Sequence, residues 1–182
     1  MGRQHVLIGK PAPEITLLNY DGQSYTLNAA NEGVPTALFF YPKAGSYGCT
    51  KEACEFRDAV AGREVFKTNR AKVIGISADP VEKQKEFVEK EKLNYPVLSD
   101  TKHEARKAYS VGKGILGLVD GRVTFMIDSK GIVRDVLDST VNFSAHVKFV
   151  NKWLDTFEKE SQKPATSDAP TAEESAAPIV QG

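Results

Sequence analysis

Short, uninterrupted apolar runs alternate with helix-length segments along this chain. The three clearest runs are rich in β-branched and aromatic side chains: Thr36–Phe40, Lys72–Ser77 and Val123–Ile127. Runs of this kind are typical of strands that are covered on both faces. Because strands and helices alternate, we expect an α/β domain in which helices flank both faces of a central mixed β-sheet.

Two turn signals predict hairpins in this sheet. Asp21–Gly22 separates an extended segment from a short strand near Ser24–Leu27, which predicts an N-terminal β-hairpin extension. Asp128–Gly131 separates the run Val123–Ile127 from a second run over 132–137. This second turn predicts an antiparallel hairpin that closes the sheet.

Composition changes near the C-terminal end. A final helix is predicted from about Ser144, and residues 160–182 are then rich in Pro, Ala, Ser, Thr and Glu. Such a segment cannot bury enough apolar surface to offset the entropy that is lost on ordering. We therefore predict a folded domain over 1–159 and a disordered C-terminal tail over 160–182.

The chain contains two cysteines, Cys49 and Cys54, at the predicted start of a helix. They follow the run Thr36–Phe40 and a turn that contains proline and glycine. In a first helical turn the backbone N–H groups are unpaired and the helix dipole is positive, so a thiol there ionises more readily to the nucleophilic thiolate. Cys54 lies one turn deeper and gains less from the dipole. We predict that Cys49 attacks and that Cys54 is its partner, the alternative being two inert buried side chains.

The spacing of the two cysteines also restricts their chemistry. On a regular helix, positions i and i+5 place their Cα atoms roughly 8.7 Å apart, beyond the ~7 Å limit of an unstrained disulfide. A bond between Cys49 and Cys54 therefore requires local unwinding, which suits a catalytic cycle better than a structural bridge. A zinc site is not favoured, since His5, His103 and His146 are distant from the cysteines in sequence.

Composition also excludes several classes of partner. The chain has 24 basic and 24 acidic residues, so no broad basic field predicts binding to nucleic acid or to a membrane surface. No apolar run approaches the length of a membrane span, and the segment Met1–Ile8 lacks the apolar core of a signal peptide. We expect an intracellular protein, cytoplasmic or nuclear. In a reducing compartment, disulfides are more often transient and catalytic than structural.

The residues around Cys49 resemble the active-site segment of peroxiredoxins. The matching segments are Phe40–Lys43, Ser46–Cys54 and Phe56–Asp58. Pro42, Ser46 and Cys49 match the family pattern Pro-x-x-x-Thr/Ser-x-x-Cys, and Cys54 stands where the family carries a resolving cysteine in the same helix. The chain is most similar to the peroxiredoxin Q, or bacterioferritin comigratory protein, branch of the AhpC/TSA superfamily. The likeness extends over about 8–157.

The resemblance implies a thioredoxin-like fold and no metal, haem or flavin cofactor. It also implies that Arg122 favours the thiolate and holds a peroxide oxygen through its N–H donors. Pro42 shields the sulfur in this family, and the Ser46 hydroxyl binds the peroxide. The position of Ser46, three residues before Cys49, independently predicts a helix cap.

Three side chains next to the cysteines receive other interpretations. Tyr47 stands where this branch commonly has proline. Glu52 is interpreted as a solvated residue, or as one that matches the helix dipole. Arg57 is expected to form an ion pair with Asp58 or with a nearby acid.

The resemblance implies a thiol-dependent peroxidase that acts on hydrogen peroxide and on organic (alkyl) hydroperoxides. Cys49 becomes a sulfenic acid, Cys54 condenses with it, and thioredoxin, or alternatively glutaredoxin, reduces the disulfide. A monomer is also implied. A thiol-disulfide exchange protein is the first alternative, but the Cys-x-x-x-x-Cys spacing argues against it. The second alternative is a peroxide-sensing redox module that signals to a partner.

Overall fold

The computed structural model describes residues 5–162, without the side chain of Ile115. The strands are β1 (Ile15–Asn19), β2 (Ser24–Leu27), β3 (Thr36–Phe40), β4 (Lys72–Ser77), β5 (Val97–Ser99), β6 (Lys113–Gly114), β7 (Val119–Asp120), β8 (Val123–Ile127) and β9 (Val133–Asp138). The helices are α1 (Ala29–Glu32), α2 (Tyr47–Gly62), α3 (Glu64–Lys67), α4 (Val81–Glu91), α5 (Glu104–Ala108) and α6 (Phe143–Gln162).

Seven of these strands form one mixed sheet in the order β2-β1-β5-β4-β3-β8-β9. β3, β4 and β5 are parallel, since the helices between them return the chain to the end of the sheet at which the preceding strand began. Both predicted hairpins are confirmed: β1 pairs with β2, and β8 pairs with β9, in antiparallel register. The N-terminal hairpin joins the main sheet because β1 also pairs with β5.

Helices cover both faces of the sheet, as predicted. Alternate side chains of β3 point to opposite faces. Phe39 packs into a core with Phe56 of α2, Phe87 of α4 and Val150 of α6. Its neighbour Phe40 packs into the other core, which includes residues of α1 and α5. The central position of β3 therefore places the start of α2 over the middle of the sheet.

The last helix extends past the predicted domain boundary. Glu160 lies in α6, where its carboxylate accepts from both terminal nitrogens of Arg134 at 3.2 and 3.1 Å. Residues 160–162, which were assigned to the tail, are therefore helical. Residues 163–182 lie outside the described part of the chain, so the division into a domain and a tail stays a prediction. Within residues 5–162, no helix is both long enough and apolar enough to cross a membrane.

Candidate active site

The helix α2 begins directly above the end of β3. Residues 41–46 connect the two elements, and Ser46 is the N-cap residue with extended backbone angles (φ −74°, ψ 153°). Cys49 is the third residue of α2, so it lies in the first turn as predicted, and it is 1% exposed. The first-turn N–H groups and the positive end of the helix dipole favour a negative charge on its sulfur.

A cation from a distant part of the sequence reaches the same thiol. Arg122 directly precedes β8, and Val123 pairs with Phe40 at the end of β3, so the arginine lies over the start of α2. Its Nη2 donates to Cys49 Sγ at 3.3 Å, and its Nε donates to Thr140 O at 3.1 Å. A buried guanidinium in contact with the sulfur stabilises the thiolate by its charge and by its hydrogen bond.

Glu52 completes this cluster, and its interpretation as a solvated residue is wrong. The side chain is fully buried, and Oε2 accepts a hydrogen bond from Arg122 Nη1. Burial raises the pKa of Glu52 from 4.5 to about 8, although the charge of Arg122 opposes this rise. A signal was present in the sequence: Glu52 follows Cys49 by three residues, on the helical face that carries Ala53 and Phe56.

His146 lies next to Glu52, and it was not identified from the sequence as a site residue. It belongs to α6 and is fully buried, with Nδ1 at 2.8 Å from Thr124 Oγ1 and Nε2 at 2.9 Å from Ser139 O. Burial lowers the pKa of His146 from 6.5 to about 4. Its Nδ1 lies 3.7 Å from Glu52 Oε1. No local sequence pattern indicates this contact, because three separate elements meet there.

Ser46 and Pro42 lie in the loop that leads into α2. The predicted capping role of the Ser46 hydroxyl is wrong: it donates to Lys43 O at 3.0 Å, and within the described residues it caps no first-turn N–H. Asp79, which follows β4, holds the same loop by accepting from Ala44 N at 2.6 Å. Pro42 is half-buried. A contact of either Pro42 or Ser46 with a peroxide stays a prediction.

Cys54 lies outside the Arg122 cluster, on another side of α2. It is half-buried, and its Sγ donates to Glu91 Oε2 of α4 at 3.6 Å. Burial raises the pKa of the Cys54 thiol, with Arg57 opposing the rise and Glu91 adding to it. Both cysteines are free thiols. The structure therefore brings Cys49 and Arg122 together and holds Cys54 apart from them.

Two other residues singled out in the sequence lie at the edges of this site. Arg57 pairs with Asp58 at 2.8 Å, as predicted, on the Cys54 side of the helix. Tyr47 is 80% exposed, and its ring meets the ring of Phe143 edge-on with a centroid distance of 6.1 Å.

Known proteins are similar to this chain both in sequence and in fold. The model of the AhpC/TSA family matches residues 8–136. Peroxiredoxin Q of Oryza sativa subsp. japonica, a chloroplastic protein, is 36% identical over 151 residues, which cover 80% of this chain and 68% of the rice protein.

Solved structures agree with the sequence comparison. The crystal structure of peroxidoxin BcpB from Mycobacterium tuberculosis superposes with a TM-score of 0.72 and 36% identity, covering 84% of this chain and 98% of that one. Peroxiredoxin Q from Xanthomonas campestris superposes with a TM-score of 0.68 and 27% identity, covering 79% and 91%. This chain therefore belongs to the AhpC/TSA family and is a peroxiredoxin of the peroxiredoxin Q branch, a thiol-dependent peroxidase with a thioredoxin-like fold.

Proposed function

We propose that Cys49 is the thiol that reduces the peroxide and that Cys54 resolves the product. The observation that carries this proposal is the 3.3 Å contact between Arg122 Nη2 and the sulfur of Cys49, at a helix start where both side chains are buried. The raised pKa of Cys54 supports the division of roles, because at neutral pH Cys54 remains a thiol and a poor nucleophile.

The first step oxidises Cys49. Its thiolate attacks the peroxide, so that the S–O bond forms as the O–O bond breaks, and the electron pair leaves on hydroxide or alkoxide. The leaving group takes up a proton to give water or alcohol, and Cys49 becomes a sulfenic acid. Arg122 and the first-turn N–H groups stabilise the charge that develops on the oxygens.

The second step forms the disulfide. The sulfur of Cys54 attacks the sulfur of Cys49, the S–S bond forms as the S–O bond breaks, and water leaves with the proton of Cys54. Cys49 lies in the core beneath α2, whereas Cys54 contacts Glu91 on another side. The first turns of α2 therefore unwind before the two sulfurs meet.

The substrates and partners follow from the same assignment. Hydrogen peroxide and organic hydroperoxides share the O–O bond that Cys49 attacks. Thioredoxin, or alternatively glutaredoxin, supplies the two electrons that reopen the Cys49–Cys54 disulfide, and the enzyme works as a monomer. Pro42 shields the sulfur, and Ser46, whose hydroxyl lies in the loop before Cys49, contacts the bound peroxide.

Two serine variants test the assignment of the thiols. Cys49→Ser abolishes peroxide consumption. Cys54→Ser consumes one equivalent of peroxide, accumulates the sulfenic acid and loses turnover with thioredoxin. Stopped-flow peroxide titration and mass spectrometry of the oxidised chain measure both effects. Continued peroxide consumption by Cys49→Ser would contradict the proposal, as would a wild-type disulfide that does not join Cys49 to Cys54.

A separate assay distinguishes the peroxidase from a thiol-disulfide exchange protein. The wild-type chain reduces peroxide rapidly and reduces insulin disulfides slowly, because Cys54 is a thiol held against Glu91 rather than a free attacking thiolate. Efficient insulin reduction without peroxidase activity would reverse this order.

A further inference from the structure

The buried cluster around Arg122 contains one cation and two acidic groups. Arg122 contacts Cys49 Sγ through Nη2 and Glu52 Oε2 through Nη1, and none of the three side chains is more than 4% exposed. Removing an ion from water is costly unless an opposite charge compensates it. If both acids ionised together, the cluster would carry an uncompensated negative charge. The ionisation of Cys49 and that of Glu52 are therefore coupled.

Neighbouring positive charges do not change this balance. Arg106 is buried, but its Nε lies 3.7 Å from Asp120. Lys51 is exposed, with its ammonium group over the ring of Phe143. Within residues 5–162, Arg122 is thus the cation that both acidic groups contact.

The groups that face Glu52 favour its neutral form. From α2, Glu55 adds a negative charge, and it accepts from Ser144 Oγ at 2.6 Å. From the β5 side, Tyr95 is a buried phenol whose pKa is raised well above 10, so it carries no charge. From α6, His146 faces Glu52 with its Nδ1 at 3.7 Å from Oε1, and Thr124 of β8 contacts the same nitrogen.

His146 has no hydrogen to donate to the free oxygen of Glu52. Its Nε2 faces Ser139 O at 2.9 Å, and because a carbonyl oxygen can only accept, Nε2 carries the hydrogen. In the neutral ring Nδ1 is then an acceptor, to which the Thr124 hydroxyl donates at 2.8 Å.

The second carboxyl oxygen of Glu52 lies near this nitrogen but receives no hydrogen bond within residues 5–162. Oε1 lies 3.7 Å from His146 Nδ1 and has no hydrogen-bond partner among the described residues. An ionised Oε1 would hold its charge in the core without a hydrogen-bond donor, whereas a protonated Oε1 carries no charge. The geometry therefore favours a proton on Oε1.

We propose that Glu52 holds a proton on Oε1 while Cys49 is a thiolate, and that Glu52 releases this proton when Cys49 becomes a sulfenic acid. The inference rests on the proposed role of Cys49 as the peroxide-reducing thiol. It makes Glu52 a positioning residue that acts through Arg122: when neutral, it leaves the guanidinium charge directed at the thiolate.

Charges and protons balance in this step. The thiolate gives an electron pair to oxygen, and the hydroxide or alkoxide that leaves takes up one proton. Cys49 is then neutral, so Arg122 has lost its anionic partner and Glu52 ionises to replace it. The proton that Glu52 gives to solvent matches the proton that the leaving group takes, and the buried cluster keeps the same total charge.

Infrared difference spectroscopy of Cys54→Ser tests the location of the proton directly. In this variant, oxidation stops at the sulfenic acid. One equivalent of peroxide should remove the C=O band of a protonated carboxylic acid and add carboxylate bands. The double variant Cys54→Ser/Glu52→Gln should lack both changes, whereas the matched control Cys54→Ser/Glu55→Gln should retain them.

A proton count in weak buffer with a pH indicator provides a second measurement. The Glu52→Gln double variant should take up about one more proton per peroxide than Cys54→Ser, because the sulfenic acid contributes equally in both. An absent or unchanged carboxylic acid band, or equal proton uptake in the two variants, would overturn the inference. Failure of Cys54→Ser to form a sulfenic acid would instead count against the proposed function.

Discussion

Arg122 contacts three parts of the molecule at once. Its guanidinium joins the sulfur of Cys49, the carboxyl group of Glu52 and the backbone oxygen of Thr140. These contacts use three different nitrogens of one planar group, which a lysine ammonium cannot reproduce. The geometry of this one side chain therefore connects α2 with the segment that follows β9.

A conservative substitution at Arg122 tests whether its fixed hydrogen-bond donors, in addition to its charge, speed the reaction of Cys49 with peroxide. Arg122→Lys keeps the charge but loses the fixed donors, so we expect the rate constant of Cys49 with peroxide to fall by roughly 10²- to 10³-fold. Stopped-flow measurement of the first oxidation step checks this. Arg63→Lys is the matched control, since Arg63 pairs with Asp155 on the surface. Equal rates in wild type and Arg122→Lys would show that charge alone suffices.

At the scale of the element, α2 is held from two sides. Phe143, at the start of α6, contacts the ring of Tyr47, while Tyr95 OH donates to Ala53 O at 2.8 Å. Arg57 Nη1 further donates to Glu91 O at 2.7 Å. The half of the helix that carries Cys54 is thus tied by hydrogen bonds to Tyr95 and to α4, whereas the first turn is held by the contact of Cys49 with Arg122 and by the ring of Tyr47 against Phe143.

Tyr47→Pro tests how the first turn controls disulfide formation. Tyr47 is the first helical residue, where proline costs no intrahelical hydrogen bond, and the extended ψ of 153° at Ser46 suits a residue that precedes proline. We expect the free energy of unfolding to rise by about 0.4–1 kcal/mol. Because unwinding becomes harder, the Cys49–Cys54 disulfide should form more slowly, while Cys49 still reacts with peroxide.

The control for this substitution is Tyr47→Ala, which removes the ring contact with Phe143 without stiffening the backbone. Chemical denaturation gives the stability, and acid-quenched alkylation with mass spectrometry gives the rate of disulfide formation. Faster disulfide formation in Tyr47→Pro would contradict the expectation that the helix start limits this step.

At the scale of the whole molecule, the buried cluster makes stability depend on pH. Burial raises the pKa of Glu52 from 4.5 to about 8 and lowers that of His146 from 6.5 to about 4. Between pH 6.5 and 8, folded Glu52 keeps a proton that the unfolded chain has lost, so the contribution of Glu52 to stability falls as pH rises. Between pH 4.5 and 6.5, unfolded His146 binds a proton that the folded chain does not, and the two slopes oppose each other.

Glu52→Gln should remove the contribution of Glu52 to the pH dependence of stability above pH 6.5. Between pH 6.5 and 8 the wild-type chain is expected to lose on the order of 2 kcal/mol relative to the variant, because all other titrating groups are common to both chains. Guanidinium denaturation of the reduced chains at the two pH values measures the difference. Parallel losses in both chains would show that another group titrates.

Local patterns predicted most elements of the fold because their signals are close in sequence. The apolar run of β3, the turn at Asp21–Gly22 and the helical spacing of α6 each lie within one continuous segment of the chain. The same reasoning placed Cys49 in a first helical turn. It wrongly placed Glu52 in solvent, because the prediction followed the usual exposure of acidic residues. It also wrongly predicted a helix cap by Ser46, because the hydroxyl of Ser46 donates to the backbone oxygen of Lys43 instead.

Sequence alone was enough to identify the family and to select Cys49 and Cys54 as the candidate reactive thiols, since the peroxiredoxin motif lies within one short segment around α2. Tertiary contacts set the chemistry around those thiols. Arg122, Glu52 and His146 come from three distant elements, and their protonation depends on burial and on which charge each one meets. A linear pattern does not record such contacts, because packing of α6 and β8 against α2 creates them.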